Sequence, residues 1–305
     1  MIKKKLSCVI VFTIIITMLC GSTAFAATSN QQHIESNRVT VSVNELEYLY
    51  NLLNSTDEEL IQKGLSKDEI QEIRSYDYNA DLLLYANKST YDLEQAGFSQ
   101  EQIQSIKEYN GIDNAVEYAY LNALSNAELT GGFFVLPYNL NQSVEIRYTF
   151  EWTTSPIFRA ADNVVVAWVG CDKNSYPLTT SVAYEEHKSE YYFRDSNAGP
   201  YYTLNNEVNS GTADKTVKIK MAHSPDGVGD YYAKRIYGSI RVQTASGSFN
   251  LSNIIVAVGY GHTVVGVSAS PSVDITGISV GINFGWNQQT LYNIVKNYKS
   301  NGALQ

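Results

Sequence analysis

Three side chains in the sequence could together carry out nucleophilic catalysis: Cys171, His262 and Asn283. A thiol at its ordinary pKa is mostly protonated, so a cysteine nucleophile needs an imidazole to take its proton and a third group to hold the ring. His262 opens an apolar run, and Asn283 lies three residues before Trp286. These three residues are therefore the candidate catalytic set of a cysteine hydrolase.

Residues 258–266 resemble the histidine strand of papain-like cysteine peptidases. The resemblance implies that Cys171 is the nucleophile, His262 the base and Asn283 the group that orients the imidazole. The sequence departs from that family because Cys171 ends a predicted strand instead of beginning a helix, and because the glycine-rich phrase precedes the histidine. We therefore predict no catalytic residue, and the hydrolase stays as the second alternative.

Possible metal ligands occur in two places, at residues 185–187 and at residues 223–230. The phrase from Asp226 to Asp230 superficially resembles a calcium loop, but glycine and valine replace its alternating oxygen ligands and no glutamate closes it. Glycines at such spacing more simply form a turn. We predict neither a metal site nor a cofactor.

Apolar residues alternate with small or polar ones over residues 262–286. A secreted pore-former needs such a hairpin, with strands of about 9 to 11 residues. The alternating runs before Thr276 are shorter, so we expect a core hairpin that packs on a sheet. A membrane-acting, pore-forming-like protein is the first alternative.

The 23 tyrosines include three adjacent pairs, which are Tyr191-Tyr192, Tyr201-Tyr202 and Tyr231-Tyr232. Neighbours in a strand point to opposite faces, so some of these rings should face outward. Exposed tyrosine rings suit contact with protein or glycan. Tyr191, Tyr201 and Tyr231 are therefore the candidate ligand-binding residues, and the expected partner is a cell-envelope or host protein or a glycan.

The first 26 residues predict export. Three lysines precede an uncharged apolar run, and Ala24-Phe25-Ala26 forms a small-x-small cleavage site, as in a secretory signal peptide cut near Ala26. No later apolar stretch is long enough for a transmembrane helix, so we expect no integral membrane segment in the mature chain. Without the signal, 19 Lys and Arg face 31 Asp and Glu, which makes nucleic acid a poor partner.

Helical signals begin at Asn44 and continue to about residue 125. The segment Gly64-Leu65-Ser66 is repeated 33 residues later as Gly97-Phe98-Ser99, and the flanking apolar positions are repeated at the same offset. Such a unit cannot bury its apolar face alone. We predict a linker at 27–43 and a helical repeat domain at 44–125, with two 33-residue units and a leading helix.

These tandem phrases are similar to the helical repeats of uncharacterised exported proteins of Gram-positive bacteria. The resemblance covers roughly residues 45–124, and it brings no catalytic residue with it. It implies a helix-glycine-helix fold, and it says nothing of activity.

After residue 125 the pattern changes to short alternating or β-branched runs separated by turn residues. This pattern predicts an antiparallel all-β sandwich-like domain at 130–300. Leu291, Ile294, Val295 and Tyr298 have helical spacing and predict a C-terminal helix. The predicted fold class is thus α+β multidomain, and the predicted function is a secreted, non-catalytic binding or structural module at or outside the cell surface.

Overall fold

The computed structural model describes residues 38–63, 65–111, 126–139, 142–157, 160–192, 202–223, 231–245, 250–264, 271–285 and 288–305. The predicted signal peptide and residues 27–37 of the predicted linker lie outside these ranges. The rest of that linker is not a connection, because it contains the first strand of a sheet.

Seven antiparallel strands form one sheet, which we call sheet A. They are β1 (Val39–Asn44), β2 (Asn126–Asn139), β3 (Ser143–Thr154), β6 (Thr180–Tyr192), β7 (Tyr202–Asn205), β10 (Ala222–His223) and β11 (Tyr231–Thr244). Their order is β1-β2-β3-β11-β6-β7, with β10 beside β11. Every second residue of β3 is apolar and buried from Val144 to Trp152, as expected of a strand with one face on a core.

Six strands form the second sheet, sheet B. They are β4 (Ala161–Cys171), β5 (Pro177–Leu178), β8 (Glu207–Ser210), β9 (Asp214–Lys220), β12 (Asn253–Thr263) and β15 (Gln288–Lys299). Their order is β15-β12-β4-β9-β8, with β5 beside β4. The inner faces of the two sheets share one large apolar core, so the strands form a sandwich.

A two-stranded hairpin of β13 (Ser272–Thr276) and β14 (Ser279–Asn283) covers the outer face of sheet B. Val280 and Ile282 pack there in one buried cluster with side chains of β4 and β12. Gly259 and Gly261 of β12 leave room for the ring of Phe284, which a Cβ at either position would meet at less than 3.0 Å. The two central strands of sheet B are therefore buried on both faces.

Six short helices lie between β1 and β2 in the described part of the chain. They are α1 (Glu45–Asn54), α2 (Asp57–Gln62), α3 (Lys67–Ser75), α4 (Tyr78–Asn87), α5 (Thr90–Gln95) and α6 (Gln100–Glu108). Each of the first three begins 33 residues before its counterpart among the last three. Helices α2, α3, α5 and α6 each begin with a capping box. In each box the side chain of a serine or threonine accepts a hydrogen bond from the backbone N–H three residues later, and the acidic or amide side chain at that later position accepts one from the backbone N–H of the serine or threonine.

The predicted fold class is wrong, because these helices do not form an N-terminal repeat domain ahead of a β domain. Strand β1 pairs along its whole length with β2, so the helices are an insertion between two neighbouring strands of sheet A. Their apolar core includes Ile157 and Val264 from the ends of strands. Short helices that pack on strand ends need no separate domain to bury their apolar faces.

The predicted C-terminal helix is also wrong, because residues 288–299 form strand β15. The spacing of Leu291, Ile294 and Tyr298 fits a helix, but this segment pairs with β12 along 11 positions. Its β-branched and aromatic residues are compatible with a helix or a strand. As a strand, the segment forms backbone hydrogen bonds with the edge of β12 that β4 leaves open.

Candidate binding cleft

A fully buried polar cluster joins His262 to two carboxylates. His262 Nε2 lies 2.9 Å from Glu45 Oε1, and His262 Nδ1 lies 3.0 Å from Asp162 Oδ1. All three side chains are fully buried. The second oxygen of Glu45 accepts a hydrogen bond from the backbone N–H of Ile157, and Asp162 accepts others from Thr263 and from the Tyr260 hydroxyl.

Both ring nitrogens of His262 face carboxylate oxygens, so both must donate and the ring is an imidazolium. Burial alone would lower the pKa of His262, but Asp162 and Glu45 outweigh it and raise that pKa to about 10. The cluster has no opening to solvent and each member has hydrogen-bond partners. It therefore ties the first residue of α1 to strands β4 and β12 of sheet B and to the segment at Ile157.

The structure does not assemble the candidate catalytic set. Cys171 pairs with Asn253 at the first residue of β12, whereas His262 lies nine positions further along that strand, about 30 Å away at 3.3 Å per residue. Burial and the neighbouring Asp172 raise the pKa of the Cys171 thiol, which disfavours the reactive thiolate. Asn283 is exposed and pairs with Ser272 in the hairpin.

The candidate ligand-binding tyrosines lie in the core where they are described. Tyr191 is 1% exposed and donates a hydrogen bond to the Lys220 carbonyl, and Tyr231 is 4% exposed. Both rings contact Tyr202. They therefore offer no contact surface, and Tyr201 lies outside the described residues.

Two other expectations can be placed in the structure. Within the described ranges, no group of three or more His, Cys, Asp and Glu is arranged to hold a metal ion, and residues 224–230 lie outside those ranges. The hairpin strands β13 and β14 have five residues each. This is about half of the 9 to 11 that a membrane crossing needs, and the hairpin packs on sheet B as a core hairpin would.

An open cleft of about 340 Å³ lies where the chain passes from sheet A to sheet B. Strand β7 leaves β6 after Asn205, and β8 joins sheet B from Glu207. Asn206 makes the crossing, and its backbone N–H donates to the His187 carbonyl at 2.9 Å. The residues that line the cleft are Tyr184, Glu185, Glu186, His187, Lys188, Asn205, Asn206 and Val208.

Three neighbouring strands position the imidazole of His187. Gly238 of β11 lies between Tyr148 of β3 and His187 of β6 in the sheet register. A Cβ at Gly238 would lie about 2.5 Å from the Tyr148 ring. Because glycine has no Cβ, the Tyr148 ring can cross β11 and place its hydroxyl 2.9 Å from His187 Nδ1.

This contact defines the proton position on His187. Burial raises the pKa of Tyr148 far above its ordinary value, so its hydroxyl keeps its proton and is able to donate a hydrogen bond to Nδ1. Burial lowers the pKa of His187, and the nearby Glu185 carboxylate opposes this only in part. The ring is therefore neutral near pH 7, and the Glu185 carboxylate 3.8 Å from Nε2 favours the tautomer that carries its proton on Nε2.

Two polar side-chain atoms at the cleft have no hydrogen-bond partner in the part of the chain that the structure describes. One is His187 Nε2, on a side chain that is only 2% exposed; Glu185 Oε2 lies 3.8 Å away, beyond hydrogen-bond distance. The other is Asn206 Nδ2, although Asn206 Oδ1 accepts a hydrogen bond from Ser189. Unsatisfied buried donors are costly, so both atoms are suited to a ligand that supplies acceptors.

The charges around the cleft are paired. Lys215 Nζ lies 2.9 Å from Glu185 Oε2, and Lys188 forms an ion pair with Glu186. The hydroxyl of Tyr184 donates to Glu186 at 2.8 Å. The lining itself contains Glu185, Glu186 and Lys188, and Lys215 beside it supplies the second positive charge, so each of these carboxylates has an ion-pair partner.

The outer face of sheet A continues from the cleft as a polar surface with aromatic rings. The Arg241 guanidinium lies 3.3 Å from the ring centroid of Tyr138 and 5.3 Å from that of Tyr184. These two rings are 55% and 43% exposed. Burial would raise the pKa of Glu145 beside them, but hydrogen bonds from Arg147 and Ser239 outweigh it and lower that pKa.

The sequence indicated part of this site, because residues 185–187 were among its possible metal ligands. It did not indicate Tyr148, Gly238 or Asn206, which reach the cleft from other strands. A glycine inside the otherwise regular β11 pattern was the one available signal, since an isolated glycine in a strand often marks a close approach.

No protein-family model matches the chain, and the search of curated proteins finds no match either. Solved structures that resemble it include AvmM, which "Catalyzes Macrocyclization in Alchivemycin A Biosynthesis", at 7% identity over 56% of this chain and 87% of that one. The collagen-binding subdomain of the Enterococcus faecalis surface protein ACE has 5% identity over 55% and 94%. BcpA, the major pilin subunit of Bacillus cereus, has 10% identity over 57% and 60%. The TM-score is 0.26 in each case, so these likenesses carry no argument about this chain.

Proposed function

We propose that this protein is an exported, non-catalytic binding module that acts at the cell envelope. It recognises its partner through the cleft and the adjoining outer face of sheet A. The observation that carries the proposal is that His187 Nε2 and Asn206 Nδ2, two polar atoms without a hydrogen-bond partner among the described residues, belong to residues that line one open cleft.

The two outer faces of the sandwich support this placement. The hairpin covers the apolar outer face of sheet B, whereas exposed tyrosine and charged side chains form the outer face of sheet A. Polar surfaces with fixed aromatic rings are suited to recognition, since the rings supply contact area at small entropy cost.

Export is supported by the predicted signal peptide at residues 1–26 and by the resemblance to exported proteins of Gram-positive bacteria. In the portion of the chain that the structure describes, no helix is long and apolar enough to cross a bilayer. The non-catalytic role is supported by the separation of Cys171 from His262 and by the enclosure of His262 between carboxylates.

The test is binding of the purified mature protein to isolated Gram-positive cell walls, measured by co-sedimentation. Tyr184→Ser should weaken binding at least about fivefold, because truncating an exposed aromatic anchor commonly costs more than 1 kcal/mol. Tyr176→Ser is the matched control, since Tyr176 is 67% exposed and lies beside sheet B. Absence of wild-type binding, or equal loss in both variants, would overturn the proposal.

A further inference from the structure

The cleft presents hydrogen-bond donors and acceptors side by side. Among the described residues, His187 Nε2 and Asn206 Nδ2 are donors without a hydrogen-bond acceptor, and Glu185 Oε2 lies 3.8 Å from the first of them. These two atoms are too far apart for a direct hydrogen bond but close enough for one oxygen atom to reach both. A hydroxyl group fits this gap, because it can accept from Nε2–H and donate to the carboxylate at once.

The ion pairs at the cleft argue against selection of a ligand by charge. Glu185 is neutralised by Lys215, Glu186 by Lys188, and His187 is uncharged near pH 7. A site for an anion or a cation would keep an unpaired charge of opposite sign. The lining therefore favours a neutral ligand.

The apolar part of the lining is small and flat. It consists of the half-exposed ring of Tyr184 and the side chain of Val208. An extended peptide that added to the edge of β6 would need pockets for its alternate side chains, and one valine does not supply them. A polar ligand that binds mainly through hydrogen bonds does not need such pockets.

We propose that the cleft binds a neutral, hydroxyl-rich saccharide, held by donation from His187 and Asn206 and by acceptance at Glu185. This inference rests on the proposed function and names the class of its ligand. The volume of about 340 Å³ lies at the lower end of the range for small-molecule sites, so the cleft holds a short stretch of a glycan.

Asn206→Asp tests the donor directly. The introduced carboxylate would keep an oxygen for Ser189 but replace the unpartnered amide with a second acceptor. Asn209→Asp is the matched control, because Asn209 is exposed on β8, outside the cleft lining, and the change adds the same charge. Both variants should fold as the wild type does.

The measurement is titration calorimetry of the mature protein with three neutral hexasaccharides, of N-acetylglucosamine, glucose and mannose. At least one should bind the wild type, and Asn206→Asp should weaken that binding at least about tenfold, as expected when a buried ligand oxygen loses its donor. Asn209→Asp should bind as tightly as the wild type.

Each contrary result has a distinct meaning. If no hexasaccharide binds but cell walls are still bound through Tyr184, the saccharide inference falls and the proposed function stands. Binding of a neutral hexapeptide of alternating threonine and valine, in place of any saccharide, would assign the cleft to peptide. Equal weakening by both variants would show an effect of charge and overturn the role of Asn206. If cell walls are not bound either, both proposals fall.

Discussion

The molecule buries two histidines in opposite ways. His262 has a carboxylate at each nitrogen and is fully enclosed, and its pKa is raised. His187 has a tyrosine hydroxyl at one nitrogen and, within the described part of the chain, no hydrogen bond at the other, and its pKa is lowered. The first site is complete without a ligand, whereas the second leaves a donor unsatisfied next to an open cleft.

This difference separates a structural cluster from a binding site. A buried polar network in which each group is satisfied holds elements in place, and it has nothing left to offer a ligand. A buried donor without a partner costs free energy in the unliganded protein, and that cost is recovered when a ligand supplies the acceptor. The more conspicuous histidine of the sequence, His262, is thus the structural one.

The largest expected effect is on stability at the enclosed site. His262→Leu removes the imidazolium and leaves Glu45 and Asp162 buried without their shared partner, which should lower the free energy of unfolding by about 3 to 5 kcal/mol. His187→Leu should cost less, about 1 to 3 kcal/mol, because it leaves only the Tyr148 hydroxyl without an acceptor. Urea denaturation at pH 7 measures both, and an equal or reversed ranking would contradict the contrast.

The second prediction concerns pH. The pKa of His262 rises from 6.5 to about 10 on folding, so between these values the folded protein keeps a proton that the unfolded chain releases. The stabilisation is fully present below pH 6.5 and is lost as the pH rises through 10, by up to about 1.4 kcal/mol per pH unit.

Urea denaturation of the wild type and of His262→Leu between pH 6.5 and 10 measures this effect. The difference in unfolding free energy between the two proteins should shrink as the pH rises. A constant difference would show that His262 is not charged in the folded state. His187 acts in the opposite sense, since its lowered pKa removes stability as the pH falls below its ordinary value.

The smallest expected effect is at the open site. Tyr148→Phe removes the hydroxyl that donates to His187 Nδ1 and should cost about 1 kcal/mol. Without that donor the imidazole is free to carry its proton on Nδ1, so the nitrogen chemical shifts of His187 in NMR spectra should change. Unchanged shifts would mean that Tyr148 does not determine the tautomer. The shifts of His262 provide the internal control, since its carboxylate partners are untouched.

Strands and helices with strong local signals could be predicted from the sequence. The short alternating runs predicted after residue 125 include β3 and β11, and helices form where helical signals begin after Asn44. Strand β2 has no clear period in its first residues, and the apolar spacing of β15 fits both a helix and a strand, so local sequence does not identify either strand. Pairing with β1, β3 and β12 decided those segments, and pairing partners are not visible in local sequence.

The candidate site was harder to predict than the strands. His262 was recognised as unusual, but its partners Asp162 and Glu45 lie 100 and 217 residues away along the chain. The pairs of tyrosines suggested an exposed surface, yet Tyr191 and Tyr231 are buried, because both faces of a strand can be covered in a folded protein.

The sequence by itself determined where strands and short helices begin and end wherever turn residues, caps and a single periodicity agreed, because those signals act over a few residues. The tertiary structure alone decided that the helices are an insertion in sheet A, that Cys171 and His262 lie apart, and that His187 meets Tyr148 across Gly238. These outcomes depend on which strands pair and in which register. That choice is made by burial of the whole core, to which each local segment contributes only a part.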